Sequence, residues 1–175
     1  MTTILFCPRT NTLTADKRET CTVAGSTRAF DGADKLPVVY DVVFAIAGNY
    51  SYALKYIGKL RKAYEREASG GGLKCSFIEY AVDSIWHWEE MMKENTESCV
   101  WMFSRKHRMA FELYASGIML PMDITVPQAI GSGSQYAIGA WAAGQSPSAC
   151  IEITSRYDTS TSQECSTKGV FGNGN

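Results

Sequence analysis

The sequence predicts an α+β domain in which two antiparallel sheets pack face to face, with a pair of helices on each outer side. Three observations carry this. Runs of strands alternate with pairs of helices, which does not match the strand-by-strand helix alternation of a parallel doubly wound sheet. The apolar pattern changes from strand-like alternation to helical spacing at Ser51, and back again near Cys99. The chain has 175 residues, 45% of them hydrophobic. That suits one domain, residues 1–175, burying roughly two-thirds of its unfolded surface.

The elements follow in order. Thr2–Phe6 and Thr12–Asp16 read as a hairpin broken at Pro8-Arg9-Thr10-Asn11, which returns Asp16 to the N-terminus. A polar stretch from Val23 to Asp34 carries no clear periodicity. Val38–Ala47 is rich in β-branched residues and reads as two buried strands turning near Tyr40-Asp41 and stopping at Gly48-Asn49. From Ser51, the expected cap, Ala53, Tyr56, Ile57, Leu60, Ala63 and Tyr64 mark a helix ended by Gly70-Gly71-Gly72. Ile78, Ala81, Val82, Ile85, Trp88 and Met92 mark a second. Cys99–Ser104 and Met109–Tyr114 form strands around Arg105-Lys106-His107, with Met122–Val126 as a third. A tight turn at Ile130–Ser134 enters a helix carrying Tyr136, Ala137, Ala140 and Ala143. Ser146-Pro147 opens the last helix, serine as cap and proline at the first helical position, and Val170-Phe171 forms a closing strand.

Composition excludes several classes. Seventeen basic against eighteen acidic residues leave a net charge of −1, without the basic excess of a general nucleic-acid or membrane-surface binder. No apolar run reaches membrane-spanning length, and the N-terminus lacks a secretory leader, so a cytoplasmic chain is expected. The six cysteines contain no CxxC and are expected as free, mostly buried thiols, with neither metal nor cofactor. Phosphate-binding loops, HExxH and GxSxG are missing, and His87 and His107 are the only histidines.

A hydrolase without histidine needs another base. A threonine at a mature N-terminus carries its own, because an α-amine with a pKa near 8 accepts the hydroxyl proton directly or through water. Thr2 is that residue once Met1 is removed.

Thr2-Thr3-Ile4-Leu5, Ala15-Asp16-Lys17-Arg18-Glu19-Thr20, Lys35 before the apolar strands, Ala47-Gly48, Gly131-Ser132-Gly133-Ser134-Gln135-Tyr136-Ala137 and Arg156-Tyr157-Asp158 with Thr161 follow one another along the chain. In that order they resemble the landmarks of proteasome β-type subunits and HslV-like peptidases, over nearly the whole chain. The resemblance implies a four-layer αββα N-terminal-nucleophile hydrolase fold with Thr2 as nucleophile. Lys35 would lower the pKa of its hydroxyl and amine, and Asp16 would keep Lys35 charged and oriented. The Gly48 N–H would stabilise the oxyanion, while Ser132 and Asp158 tune the amine and Gly133 permits close approach. Thr161 stands where the family often has serine, and Asn49 follows Gly48 where a second glycine is usual. Glu19, Ala33, Pro37, Ile46 and Tyr50 would wall a substrate pocket favouring apolar side chains.

The same resemblance implies a homo-oligomeric ring or stacked rings, an ATP-driven unfoldase partner and polypeptide substrates, with Trp86, Trp88, Met91 and Met92 as contact or core residues. Two rival readings remain: a catalytically silent scaffold with this fold, and a small-molecule amidase using the same nucleophile.

Overall fold

The computed structural model describes residues 2–23, 26–84, 98–114 and 118–171. Three antiparallel sheets organise them. The first has the order β10-β1-β2-β11, from Gln128–Gly131, Thr3–Cys7, Thr12–Asp16 and Cys165–Gly169. The second is a meander, β5-β6-β7-β8-β9, from Val38–Val39, Val42–Ala47, Cys99–Ser104, Met109–Tyr114 and Met119–Pro121. The third is the two-stranded hairpin β3-β4, Arg18–Val23 and Ser26–Asp31. The helices are α1 (Tyr50–Ser69), α2 (Phe77–Asp83), α3 (Ser134–Ala142) and α4 (Pro147–Ser155).

Three apolar clusters mark the interfaces between four layers. Val42, Phe44 and Ile46 of β6 pack with Ala53, Ile57 and Leu60 of α1 and Ile78 of α2. The alternate residues of β6, Val43 and Ala45, face the other way and meet Ile4, Phe6 and Leu13 of the first sheet together with Trp101 and Phe103. Leu5, between Ile4 and Phe6, points outward to Ala140, Cys150 and Ile151 of α3 and α4. Strand side chains alternate between faces, so a strand covered on both sides must be apolar throughout. β1 and β6 are buried at every position for this reason. The fold is thus the expected αββα sandwich.

Local differences from the sequence reading have physical causes. Asn49, not Ser51, caps α1: its side chain accepts from the Tyr52 N–H at 3.2 Å, so the helix starts two residues earlier. Ser76 and Glu79 form a reciprocal capping box at α2, and Ser146 caps α4 with Pro147 in its first turn. The Val23–Asp34 stretch contributes to the β3–β4 hairpin, whose register pairs Glu19 with Phe30. Met122–Val126 is not a strand; the Asp123 carboxylate accepts from the Thr125 N–H at 2.9 Å and turns the chain, and Met119–Pro121 pairs with β8 instead. Val170 and Phe171 are not strand residues. The closing strand is the more polar Cys165–Gly169, and Phe171 follows it into the inter-sheet core, 6.3 Å from the Phe6 ring and 5.8 Å from Phe103. Residues Trp86, His87, Trp88, Met91 and Met92 lie outside the described residues. His107 sits in the β7–β8 turn.

Candidate active site

Four chain segments meet at the start of β1. The β1–β10 register pairs Thr3 with Gly131, which sets Ser132 opposite Thr2, and β1–β2 pairs Ile4 with Ala15, which sets Asp16 beside Thr3. Gly131 has φ +96°, and a side chain there would run into the Thr2 carbonyl. The expected turn at Ile130–Ser134 is therefore shorter than predicted: Gln128–Gly131 is strand, and Ser132-Gly133 alone bends into α3.

Asp16 and Lys35 form a buried ion pair, Nζ to Oδ1 2.9 Å, with side chains 0% and 1% exposed. Burial holds the Lys35 ammonium below the usual lysine pKa, while the charge and hydrogen bond of Asp16 limit the drop. The carboxylate is itself held by three backbone N–H groups: Thr3 at 2.8 Å, Arg18 at 2.9 Å and Ser162 at 3.3 Å. Lys35 is fixed by its own backbone, whose carbonyl accepts from the Ile46 N–H at 3.1 Å, tying this residue to β6. Directly after β6 stands Gly48 at φ +103°, a left-handed conformation that favours glycine.

Asp158 organises the other side. Its Oδ2 accepts from Ser132 Oγ at 2.5 Å and from Thr161 Oγ1 at 2.8 Å, and its Oδ1 accepts from the Ser160 N–H at 3.0 Å. Burial pushes this carboxyl up, but those three hydrogen bonds outweigh it and hold the group below the usual carboxylate value. Gly133 is buried here, and a methyl group on it would overlap Thr3 Oγ1 and Thr154 Cγ2 and crowd Asp158 Oδ2. The structure thus brings Thr2, Asp16, Lys35, Ser132, Gly133, Asp158 and Thr161 to one end of the two-sheet layer, with Thr2 buried among them.

The residues expected to wall a pocket surround the Lys35 segment. The Pro37 carbonyl accepts from the Phe44 N–H at 2.9 Å, and the Ala33 N–H donates to the Lys17 carbonyl at 3.0 Å. The Tyr50 hydroxyl donates to the Asp34 carbonyl at 2.8 Å. Its pKa is raised by burial first and then by the charges of Asp34 and Glu19. Ile46 belongs to the core beneath α1.

Sequence reasoning did not single out Thr3, Ser160 or Ser162. Thr3 could have been found from strand alternation, since a buried threonine next to the proposed nucleophile needs a polar partner. The Ser160-Thr161-Ser162 contacts had no such signal, because they arise from a loop folded around two carboxylates. Among the described residues no cluster of His, Cys, Asp and Glu could hold a metal ion, and no helix is long and apolar enough to cross a membrane.

No protein-family model matches the chain, and no curated protein matches it significantly. Solved structures do. Eukaryotic HslV from Trypanosoma brucei superimposes with a TM-score of 0.66 at 19% identity, covering 95% of this chain and 97% of that one. Thiobacillus denitrificans BPH, solved in complex with epoxomicin, superimposes with a TM-score of 0.64 at 15% identity over 96% of this chain and 97% of that one. The chain has the fold of these two proteins along nearly its whole length.

Proposed function

We propose that this chain is a threonine-type peptidase subunit of a self-compartmentalising ring, with Thr2 as nucleophile after removal of Met1. The observation that carries the reading is the buried Lys35–Asp16 pair lying under the first strand, with Asp16 also bonded to the Thr3 N–H. An ammonium and its carboxylate, both fully removed from water, are costly to bury and are not needed to close a two-sheet core. Next to a threonine hydroxyl they favour the alkoxide.

In this mechanism the Thr2 hydroxyl proton passes to its own α-amine as Oγ attacks the peptide carbonyl carbon. The Gly48 N–H stabilises the resulting oxyanion, and Lys35 stabilises charge developing on Oγ. The amine leaving group departs with the proton, leaving an ester between Thr2 and the acyl half of the substrate. Water activated by the α-amine hydrolyses that ester and restores the hydroxyl. Ser132, Asp158 and Thr161 hold the amine, and Gly133 lets them reach it. Homo-oligomeric rings, an ATP-driven unfoldase partner and polypeptide substrates belong to the same proposal, supported by likeness of fold to HslV, and a cytoplasmic setting is proposed with them.

The test is direct. Intact mass establishes whether Met1 is removed. Epoxomicin, the ligand of the Thiobacillus BPH structure, is expected to add once per chain at Thr2 and not to the Thr2→Ala variant. Native mass reads ring size. Retention of Met1 on every copy, or no adduct on the processed chain, overturns the peptidase reading.

A further inference from the structure

Thr3, the residue after the proposed nucleophile, is fully buried and bonded at both ends. Its N–H donates to Asp16 Oδ1 at 2.8 Å, and its Oγ1 lies 2.6 Å from Thr161 Oγ1, 158 residues away in sequence. Through these two hydrogen bonds it links the Lys35–Asp16 pair to the Ser132–Asp158–Thr161 group, and Gly133 leaves it the space to do so.

Proton accounting fixes the direction of these bonds. A hydroxyl carries a single proton and two lone pairs. Asp158 is a carboxylate and can only accept, so the protons of Ser132 and Thr161 are both committed to it. Thr161 then has no proton left for Thr3, and Thr3 must be the donor in the 2.6 Å contact. The chain of hydrogen bonds therefore runs from Thr3 to Thr161 to Asp158, and one Thr161 lone pair is occupied by Thr3. The hydroxyls of Ser132 and Thr161 present only lone pairs toward a neighbouring donor, and the α-amine of a processed Thr2 is such a donor.

We propose that Thr3 is a positioning residue that acts through Thr161 to keep the Thr2 α-amine a free base. This rests on the peptidase reading of the site. By filling one lone pair of Thr161, Thr3 makes that oxygen a poorer acceptor for an ammonium and a better donor to Asp158, since linked hydrogen bonds polarise one another. It also locks Thr161 against rotation, and through its N–H it fixes how the first strand sits on Asp16.

The experiment compares chains beginning at Thr2, verified by intact mass, as the parent, Thr3→Val and Thr3→Ser. Two readouts are taken: the pH profile of kcat/KM on a fluorogenic peptide, and the pH dependence of α-amine carbamoylation by cyanate, read by mass spectrometry. Thr3→Val, which keeps the shape and removes the donor, is expected to raise the amine pKa by about half a unit, roughly a threefold loss of free base at neutral pH. The acid limb of the activity profile moves to higher pH by the same amount, kcat falls and KM holds. Thr3→Ser, which keeps the hydroxyl, restores both readouts. Should Thr3→Val not fold, Thr3→Cys, a weak donor of similar size, takes its place. An amine titration and a pH profile identical to the parent's overturn the role of Thr3. The cyanate titration reads the amine without any need for turnover, so failure of the peptidase reading, seen as a parent that neither cleaves peptide nor takes epoxomicin, is told apart from failure of this proposal.

Discussion

Lys35 Nζ and Asp16 Oδ1 lie 2.9 Å apart, wholly buried, and the two residues do not depend on one another equally. Asp16 keeps three backbone N–H donors if Lys35 is removed. Among the described residues no other carboxylate lies within bonding distance of Lys35 if Asp16 is removed; the charges of Glu19 and Asp31 act on it only from further away.

Two substitutions at this pair should therefore separate. Asp16→Asn strands a buried ammonium and weakens the backbone bonds, and is expected to destabilise by about 3–5 kcal/mol, the range for breaking a buried pair from one side. Lys35→Met replaces the ammonium with an apolar chain of similar length and leaves the carboxylate solvated by N–H groups. Its loss of stability should be clearly smaller, while epoxomicin labelling of Thr2 is abolished. Urea unfolding of both variants checks the order; equal destabilisation would show that the backbone donors do not sustain Asp16 alone.

The close approaches of the first sheet predict a second pair of effects. Gly131→Ala puts a methyl group into the Thr2 carbonyl at a backbone conformation with φ +96°. Gly133→Ala drives one into Thr3 Oγ1 and Thr154 Cγ2. Overpacking of this kind costs about 1–3 kcal/mol, and in both cases the shift falls on β1. Gly139→Ala, where a Cβ meets nothing within 4 Å, is the control and should leave melting temperature and activity near the parent values.

Thiol reactivity offers a third check, outside the site. Burial, then the charge and hydrogen bond of Glu112, push the Cys99 thiol far up, and burial together with nearby Cys7 pushes Cys150 up to about 11. Thiolate is the reactive form. At pH 7.5 both should resist iodoacetamide in the native protein and react only on unfolding, as mapped by mass spectrometry. Rapid native alkylation of either would mean that its strand or helix opens readily.

The two-sheet fold was legible because β1, β6 and β7 are apolar at nearly every position and the helices show wide apolar stripes. Asp16 and Lys35 could be paired only through the resemblance, since nothing local distinguishes Lys35 from a surface lysine; its backbone is tied by a hydrogen bond to Ile46 of β6, 11 residues ahead. Gln128–Gly131 and Cys165–Gly169 escaped because their strand character comes from partners, β1 and β2, rather than from their own half-polar composition. Thr167 makes the point: its hydroxyl finds Thr14 at 3.0 Å across the pair, a contact that exists only after the sheet has formed.

Asp158 gives the sign of an acid dependence. Its carboxyl is held below the ordinary value of 3.8 in the folded chain by Ser132, the Ser160 N–H and Thr161, against the opposing effect of burial. A group with a depressed folded pKa binds protons more readily when unfolded, so the stability it contributes is present above the ordinary value and is lost as pH falls through it toward the folded pKa. The parent should therefore lose melting temperature between about pH 5 and pH 3 more steeply than Asp158→Asn, which starts lower and has no carboxylate to protonate. The same titration reaches the active site, because a protonated Asp158 can donate a hydrogen bond and frees Ser132 or Thr161 to turn its own proton outward. The acceptor face offered to the Thr2 amine is then broken. Parallel melting curves for parent and Asp158→Asn across that range would show that the carboxylate contributes no acid-sensitive stability.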